Sequence, residues 1–404
     1  MRWFLDLSKD QRRAFLAAYL AWMLDGFDFY ILTFLLADIQ RSFAVDKALA
    51  GALGTITLLF RVAGGVGAGA AADRVGRKLP LTFSILWYSA FAFLSGFSTS
   101  YRMLFVLRAL FGIGMGGVWS AGVPLVIEHL PPAIRGRASG LLQGGYSIGV
   151  ILSAVVYQVA YPIVSGYAGG WRALLWIGVA PALVALWIMS SVRESPIWLE
   201  RRGVHRSRSG IGVLFSRGLA ATTIQTTLII GAFQIAYQSL TFWYPTYLAS
   251  IHRPQLPFIV ALNAGGIAGA ATWGRVSESS LGRRGAITLA MGVGVLATPL
   301  YLLQPNGAWL LLGALVMGIF AAGSLGVAPG YLAERFPTSV RAAGAGFAYH
   351  VGAGIGAFTP YAIGALQDRG FALASVMALL IVAAGIAMIA LVWLGPETRD
   401  ADLR

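Results

Sequence analysis

Leu24-Asp25-Gly26-Phe27-Asp28-Phe29-Tyr30 lies within an apolar run that extends from residue 14 to residue 37. At a rise of about 1.5 Å per residue, a helix of this run is long enough to cross a hydrocarbon core of about 30 Å. Both aspartates then fall near mid-depth, where an ionised carboxylate costs roughly 2.5–3.5 kcal/mol. Asp25 and Asp28 stand three apart and share one side of the helix, which must look into protein or water rather than lipid. A side of that kind belongs to a solute pathway.

The composition agrees. Of the 404 residues 57% are hydrophobic and 11% charged, and the mean hydropathy of +0.73 is far above that of a soluble domain. The net charge of +14 sits in short segments between apolar runs, which is the pattern of a membrane protein and not of a nucleic-acid-binding face. With no cysteine there are no disulfides and no thiolate metal sites, and no motif calls for a cofactor. Arg2, Lys9, Arg12 and Arg13 precede the first run and no small-residue cleavage signal follows it, so that run is expected to be retained as a span.

Runs of spanning length fall at about 14–37, 48–72, 79–98, 103–127, 138–161, 172–191, 222–247, 257–274, 285–303, 308–331, 342–365 and 371–394. The expected fold is therefore an all-α membrane protein of twelve transmembrane helices. The terminal segments and alternate loops hold 22 of the 30 Lys and Arg, and the opposite loops hold six, which places both termini in the cytoplasm of a multi-pass plasma (inner) membrane protein. The long basic connection, with Arg201, Arg202, Arg206 and Arg208, reads as a linker over 193–220 between halves 1–192 and 221–404.

The halves repeat. Gly76-Arg77-Lys78 recurs 206 residues later as Gly282-Arg283-Arg284, and Glu128-His129-Leu130-Pro131 with Arg135 recurs at the same offset as Glu334-Arg335-Phe336-Pro337 with Arg341. Two six-helix units in parallel orientation follow, with a solute site expected near mid-membrane.

Gly69-Ala70-Ala71-Ala72-Asp73-Arg74-Val75-Gly76-Arg77-Lys78 resembles the GxxxDRxGRK loop of the major facilitator superfamily, and Arg108-Ala109-Leu110-Phe111-Gly112-Ile113-Gly114 resembles its fourth-helix RxxxGxG pattern. Asp25-Gly26-Phe27-Asp28, Gly170-Trp171-Arg172, Glu194-Ser195-Pro196 and Glu334-Arg335-Phe336-Pro337-Thr338 are similar to the proton-coupled symporters of sialate, monocarboxylates and aromatic acids. The resemblance implies alternating access. Two helices depart from the group: in the fourth Gly117-Val118-Trp119 stands where a Glu is frequent, and in the eleventh His350 and Ala353 stand where Asn and Arg are common.

The candidate residues sort by depth. Asp25, Asp28 and His350 are the groups able to carry a proton within a span. Arg61 lies about 18 Å into its helix from the Asp73 loop, at a depth matching Asp25, and its planar fork suits a carboxylate. The competing role for Arg61 is a static ion pair between helices. Arg108 counts as nearer the outer face. Tyr30 and Gln143, with Tyr146, face inward on general grounds, while Gln234, Tyr237, Gln238 and Thr241 recur at helical spacing as one polar stripe, with Asn263 beside it. Gly69, Asp73, Arg74, Gly76, Arg77, Lys78, Glu128, Arg135, Glu334 and Arg341 form a gating latch in the cytoplasmic loops, with Ser279 in the place of Asp73 in the second copy. The glycine runs around Gly64, Gly112 and Gly352 serve close helix packing.

The expected function is import of a small organic anion with a proton, by a monomer in the lipid bilayer. A proton-driven exporter of drugs or metabolites shares the fold and is the alternative. No GxxxxGK[ST] or HExxH is present, so neither ATP hydrolysis nor enzyme chemistry is expected.

Overall fold

The computed structural model describes residues 4, 6–167, 169–200, 211–337 and 340–399; Arg201, Arg202, Arg206 and Arg208 of the expected linker lie outside the described residues. The chain divides into two compact units, Met1–His205 and Arg206–Arg404, and the described residues contain helices and no strand.

In the first unit α1 spans Lys9–Phe34, α2 Leu36–Phe43, α3 Lys47–Val75, α4 Lys78–Ser95, α5 Tyr101–His129, α6 Pro132–Val164, α7 Arg172–Ser191 and α8 Pro196–Glu200. Their starts are written in the sequence. Ser8 and Gln11 form a reciprocal capping box at α1, Asp46 accepts from the Leu49 N–H at α3, and Ser100 accepts from the Met103 N–H at α5. Helices α3 and α5 cross where glycines remove the side chains between them. A Cβ on Gly112 would strike the Thr57 carbonyl, one on Gly116 the Arg61 carbonyl, and one on Gly64 the Ile113 carbonyl. This is the packing device of a membrane bundle, where backbones approach through small residues.

In the second unit α9 spans Ala220–Thr241, α10 Tyr244–Ser250, α11 Gln255–Val276, α12 Gly282–Leu302, α13 Gly307–Leu332, α14 Arg341–Gly356, α15 Thr359–Asp368 and α16 Leu373–Trp393. The crossing recurs at the expected offset, since a Cβ on Gly318 would strike the Leu262 carbonyl of α11. Helix α13 passes through a π turn at Gly318–Ala322 and a 3-10 turn at Gly323–Gly326 while lying against α11.

Among the described residues nine helices are long and apolar enough to cross a membrane. The other expected runs fall on the shorter α4 and on two interrupted stretches. The run at 222–247 breaks at Trp243 before Pro245, and the run at 342–365 breaks at Phe358 before Pro360, each proline sitting in the first turn of the next helix. Large apolar side chains point outward from several helices, with Leu183, Leu296 and Leu379 at 70%, 81% and 63% exposure, as a lipid-facing surface requires.

Candidate functional site

Four charged side chains from three helices of the first unit gather in its interior. Asp25 and Asp28 come from α1 and are buried, and Arg108 of α5 is also buried. Arg61 of α3 retains 19% side-chain exposure, and its Nη2 lies 3.7 Å from Asp25 Oδ2. That separation is an ion pair beyond hydrogen-bond length. The Arg61 guanidinium also lies 5.1 Å from the Trp22 ring centre and 5.9 Å from that of Tyr146. Trp22 packs in turn on Trp119 at 4.8 Å and on Tyr146 at 4.9 Å, so the cation sits against an aromatic wall.

The two aspartates do not look the same way. Three residues on a helix leave about 60° between them. Asp25 turns toward Arg61, whereas Asp28 Oδ1 lies 3.1 Å from where a Gly178 Cβ would stand, against α7 and Ala92 of α4. Arg108 is in electrostatic reach of both, Asp28 foremost. Its guanidinium lies 4.0 Å from the Phe111 ring centre, and none of its three nitrogens has a hydrogen-bond partner among the described residues. Arg108 lies nearer the Tyr101 end of α5 than the His129 end, and it is buried in the interior of the unit beside Phe111.

The remaining candidates are more scattered. Tyr30 is buried, edge-on to Phe29 and Tyr146, and Gln143 is half-buried one turn before Tyr146 on α6. In the second unit the expected single stripe on α9 divides. Gln234 packs at Gly356 of α14, while Tyr237 stacks on Phe233 within the apolar cluster around Met291 and Trp273. Gln238 is buried with its Oε1 unpartnered among the described residues, and Asn263 donates to the Ile259 carbonyl of its own helix at 2.9 Å. His350 is half-buried, edge-on to Tyr349.

A second constellation lies where α3 ends. Arg77 donates from Nε and Nη2 to the two oxygens of Glu128 at 3.2 and 3.1 Å, and from Nη1 to Asp73 at 2.8 Å. Gly76, at φ 101°, turns the chain so that the Arg77 and Lys78 N–H groups both donate to Glu194. Ser195 donates to Glu128 in turn. Burial opposes the Arg77 charge, but the Glu128 and Asp73 carboxylates outweigh it and hold its pKa above the usual arginine value. Arg74 is exposed, Lys78 Nζ donates to the Met189 carbonyl, Gly69 lies near Ser120, and the Arg135 side chain lies outside the described residues.

The second unit builds the same knot. Arg283 donates to both oxygens of Glu334 at 3.2 and 2.8 Å, and Gly282, at φ 70°, brings the Arg283 and Arg284 N–H groups onto Glu397. Thr398 donates to Glu334 as Ser195 does to Glu128. Here the sequence reading needs correction: Arg283 Nη1 donates to Ser277, not to Ser279, because the turn after α11 places residue 277 under the guanidinium. Ser279 instead donates to the Val276 carbonyl. Arg341 donates to the Phe336 carbonyl.

Tyr88, Gly178, Glu397, Thr398 and Ser277 were not singled out from the sequence. The repeat of Glu194-Ser195 as Glu397-Thr398, at an offset of 203 rather than 206, was the available signal for two of them.

The sequence model of the Major Facilitator Superfamily matches residues 18–360. The chain is 33% identical over 404 residues to a probable 4-methylmuconolactone transporter of Cupriavidus pinatubonensis, covering 98% of this chain and 93% of that one. It is 28% identical over 365 residues to the sialic acid transporter NanX of Escherichia coli, covering 89% and 88%. The fold is similar to that of the xylose transporter XylE from E. coli in a partially occluded inward-open conformation, with a TM-score of 0.73, 20% identity, and 98% and 100% of the two chains covered.

Proposed function

Because the chain belongs to the Major Facilitator Superfamily and is a multi-pass transporter of the inner membrane, we propose that it imports a small organic anion together with a proton. The observation that carries this reading is the balanced buried cluster of Asp25, Asp28, Arg61 and Arg108. Two carboxylates and two guanidinium groups sum to zero, so a monoanion added to the cluster is matched by one proton added to an aspartate. The loaded site then crosses with little uncompensated charge in a medium that penalises it heavily. Arg61, partly exposed and lined by Trp22 and Tyr146, receives the carboxylate; Asp28 takes the proton.

Relatives described as transporters of 4-methylmuconolactone and sialic acid support an organic solute of this size. The rest of the reading is twelve helices with both termini cytoplasmic, halves 1–192 and 221–404 joined by 193–220, a monomer, and no enzymatic step. The Arg77–Glu128 and Arg283–Glu334 knots set which state is favoured.

Proteoliposomes test it. An inward acid gradient should drive accumulation of a monocarboxylate, sialate or aromatic acid above equilibrium. Asp28→Asn should abolish that accumulation while counterflow of solute equilibrated on both sides persists, since exchange moves no net proton. Extrusion of hydrophobic cations, or acid-driven accumulation surviving in both Asp25→Asn and Asp28→Asn, sinks the reading.

A further inference from the structure

Asp28 has a second neighbour that the charge cluster does not account for. Tyr88 of α4 is fully buried, and its hydroxyl has no hydrogen-bond partner among the described residues. The same holds for both oxygens of Asp28. A buried phenol in a membrane bundle ordinarily finds a partner, because an orphan hydroxyl there carries its full desolvation cost.

Its backbone position is held open by glycine. A Cβ on Gly114 of α5 would lie 2.7 Å from the Tyr88 nitrogen, so α5 approaches α4 at this level only because residue 114 has no side chain. The ring meets Phe111 edge-on at 5.9 Å, and the opposite neighbour of Phe111 is the Arg108 guanidinium at 4.0 Å. One turn further along α4 stands Ala92. The place of a Gly178 Cβ is 2.6 Å from the Ala92 Cβ and 3.1 Å from Asp28 Oδ1. Asp28 thus points onto the face of α4 that carries Tyr88, and Tyr88 is in electrostatic reach of Asp28 ahead of Asp25.

The groups facing Asp28 can be named helix by helix. Asp25 shares α1, Tyr88 comes from α4, Arg108 from α5, and Tyr146 of α6 packs at Gly26; α7 contributes Gly178, which has no side chain. Arg61 of α3 lies with Asp25.

We propose that Tyr88 is a positioning residue for proton coupling, its hydroxyl donating to Asp28 when that carboxylate is charged, and that Tyr88, Asp28 and the Gly178 wall form a proton site set apart from the Arg61–Asp25 pair. The phenol holds the charged carboxylate in place on α4. In this structure the two groups are buried without being bonded to one another; once they meet, protonation of Asp28 lets the acid O–H donate to the phenol oxygen, so that only the direction of the bond reverses. The solute's carboxylate and the coupled proton then occupy different walls of one unit. Arg108 is in electrostatic reach of both aspartates.

This rests on the symport reading, and the experiment separates the two. Uptake into proteoliposomes is measured against pH for the wild type, Tyr88→Phe, Gly178→Ala and Asp28→Asn, with solute-induced thermal stabilisation confirming that each variant is folded. Losing a hydrogen bond to a charged group favours the protonated form, so the pH of half-maximal uptake in Tyr88→Phe should move upward by about one unit. Gly178→Ala, whose Cβ would press on the Ala92 Cβ of α4 and on Asp28 Oδ1, parts Asp28 from α4 and should move it the same way, and it is the second reading if Tyr88→Phe does not fold. An unmoved profile in the folded variants, with Asp28→Asn still uncoupled, overturns the role of Tyr88 and leaves symport standing. Uphill uptake retained in Asp28→Asn overturns the roles of Asp28 and Tyr88 and leaves the proton to Asp25, and uphill uptake retained in Asp25→Asn as well overturns the symport reading.

Discussion

Arg61→Lys distinguishes a solute-binding cation from a helix tie. The wild-type guanidinium is 3.7 Å from Asp25 Oδ2, an ion pair beyond hydrogen-bond length. A solute carboxylate gripped by two charge-assisted hydrogen bonds gains about 1.5 kcal/mol or more from each. Lysine keeps the charge and one such bond, so the loss is about 1.5 kcal/mol, or roughly tenfold in Kd. The stacking on Trp22 and Tyr146 adds about 0.5–1 kcal/mol in a partly exposed setting, and its loss also costs the unliganded protein. Affinity measured by calorimetry or by the half-saturation of counterflow should therefore fall about 10- to 30-fold. Melting temperature without solute should fall far less than in a variant that leaves Asp25 buried and unpaired, such as Arg61→Ala. Wild-type affinity in Arg61→Lys, accompanied by a lowered melting temperature, refutes the reasoning and makes Arg61 a packing residue.

The latch gives a second prediction. Glu128→Gln removes the charge that holds two nitrogens of a largely buried Arg77, worth about 1.5–3 kcal/mol, whereas Asp73 is 67% exposed and screened. Labelling of single cysteines engineered on the two faces of this cysteine-free chain should change by tenfold or more in Glu128→Gln and much less in Asp73→Asn, on the order of the energies just given; identical labelling in all three proteins would remove the latch from gating. The third concerns acid. Burial raises the Glu397 pKa, but backbone N–H groups of Arg284, Arg283, Arg399 and Thr398 more than offset it and hold it below the usual glutamate value. A carboxylate so depressed stabilises the fold above its unfolded pKa and loses that contribution as pH falls through the folded one. The melting-temperature difference between wild type and Glu397→Gln should be constant from neutral pH down to about pH 5 and shrink below about pH 4.5; a difference unchanged at pH 3 contradicts it.

What could be read in the sequence was what periodicity and strong motifs carry. The apolar runs, the Arg77 and Arg283 loops and the packing glycines are local signals, and Gly112 and Gly318 do close matching crossings in the two units. Directions of side chains were not legible. Asp25 and Asp28 share one side of a helix in a sequence-level count, yet the angle between them sends one to Arg61 and the other to α4 and α7. Tyr88 had no motif around it and became visible only through the glycine that lets α5 approach. Ser277 was hidden for a different reason: an offset that is constant along helices slips within a turn, and it is the turn that supplies the acceptor for Arg283.

The repeat bears on function as well as on fold. At the 206-residue offset Asp25, Asp28, Arg61, Tyr88 and Arg108 correspond to Gly231, Gln234, Ile267, Gly294 and Ala314. Each of these counterparts is uncharged, and several sit in ordinary contacts, Gly231 against Ile355, Gly294 against Ala321, and Ala314 fully buried. The second unit therefore builds the same crossings and the same arginine–glutamate knot without any member of the cluster. A scaffold that folds in one copy without these five residues does not need them for packing in the other. Burying four charges and a phenol in a membrane span is costly on any accounting, so their presence in the first unit is explained by work the second unit does not perform. Moving the pair Arg61 and Asp25 into positions 267 and 231 should accordingly fail to restore coupling to an Asp28→Asn protein, because Gly231 packs against Ile355 and Gly294 offers no hydroxyl.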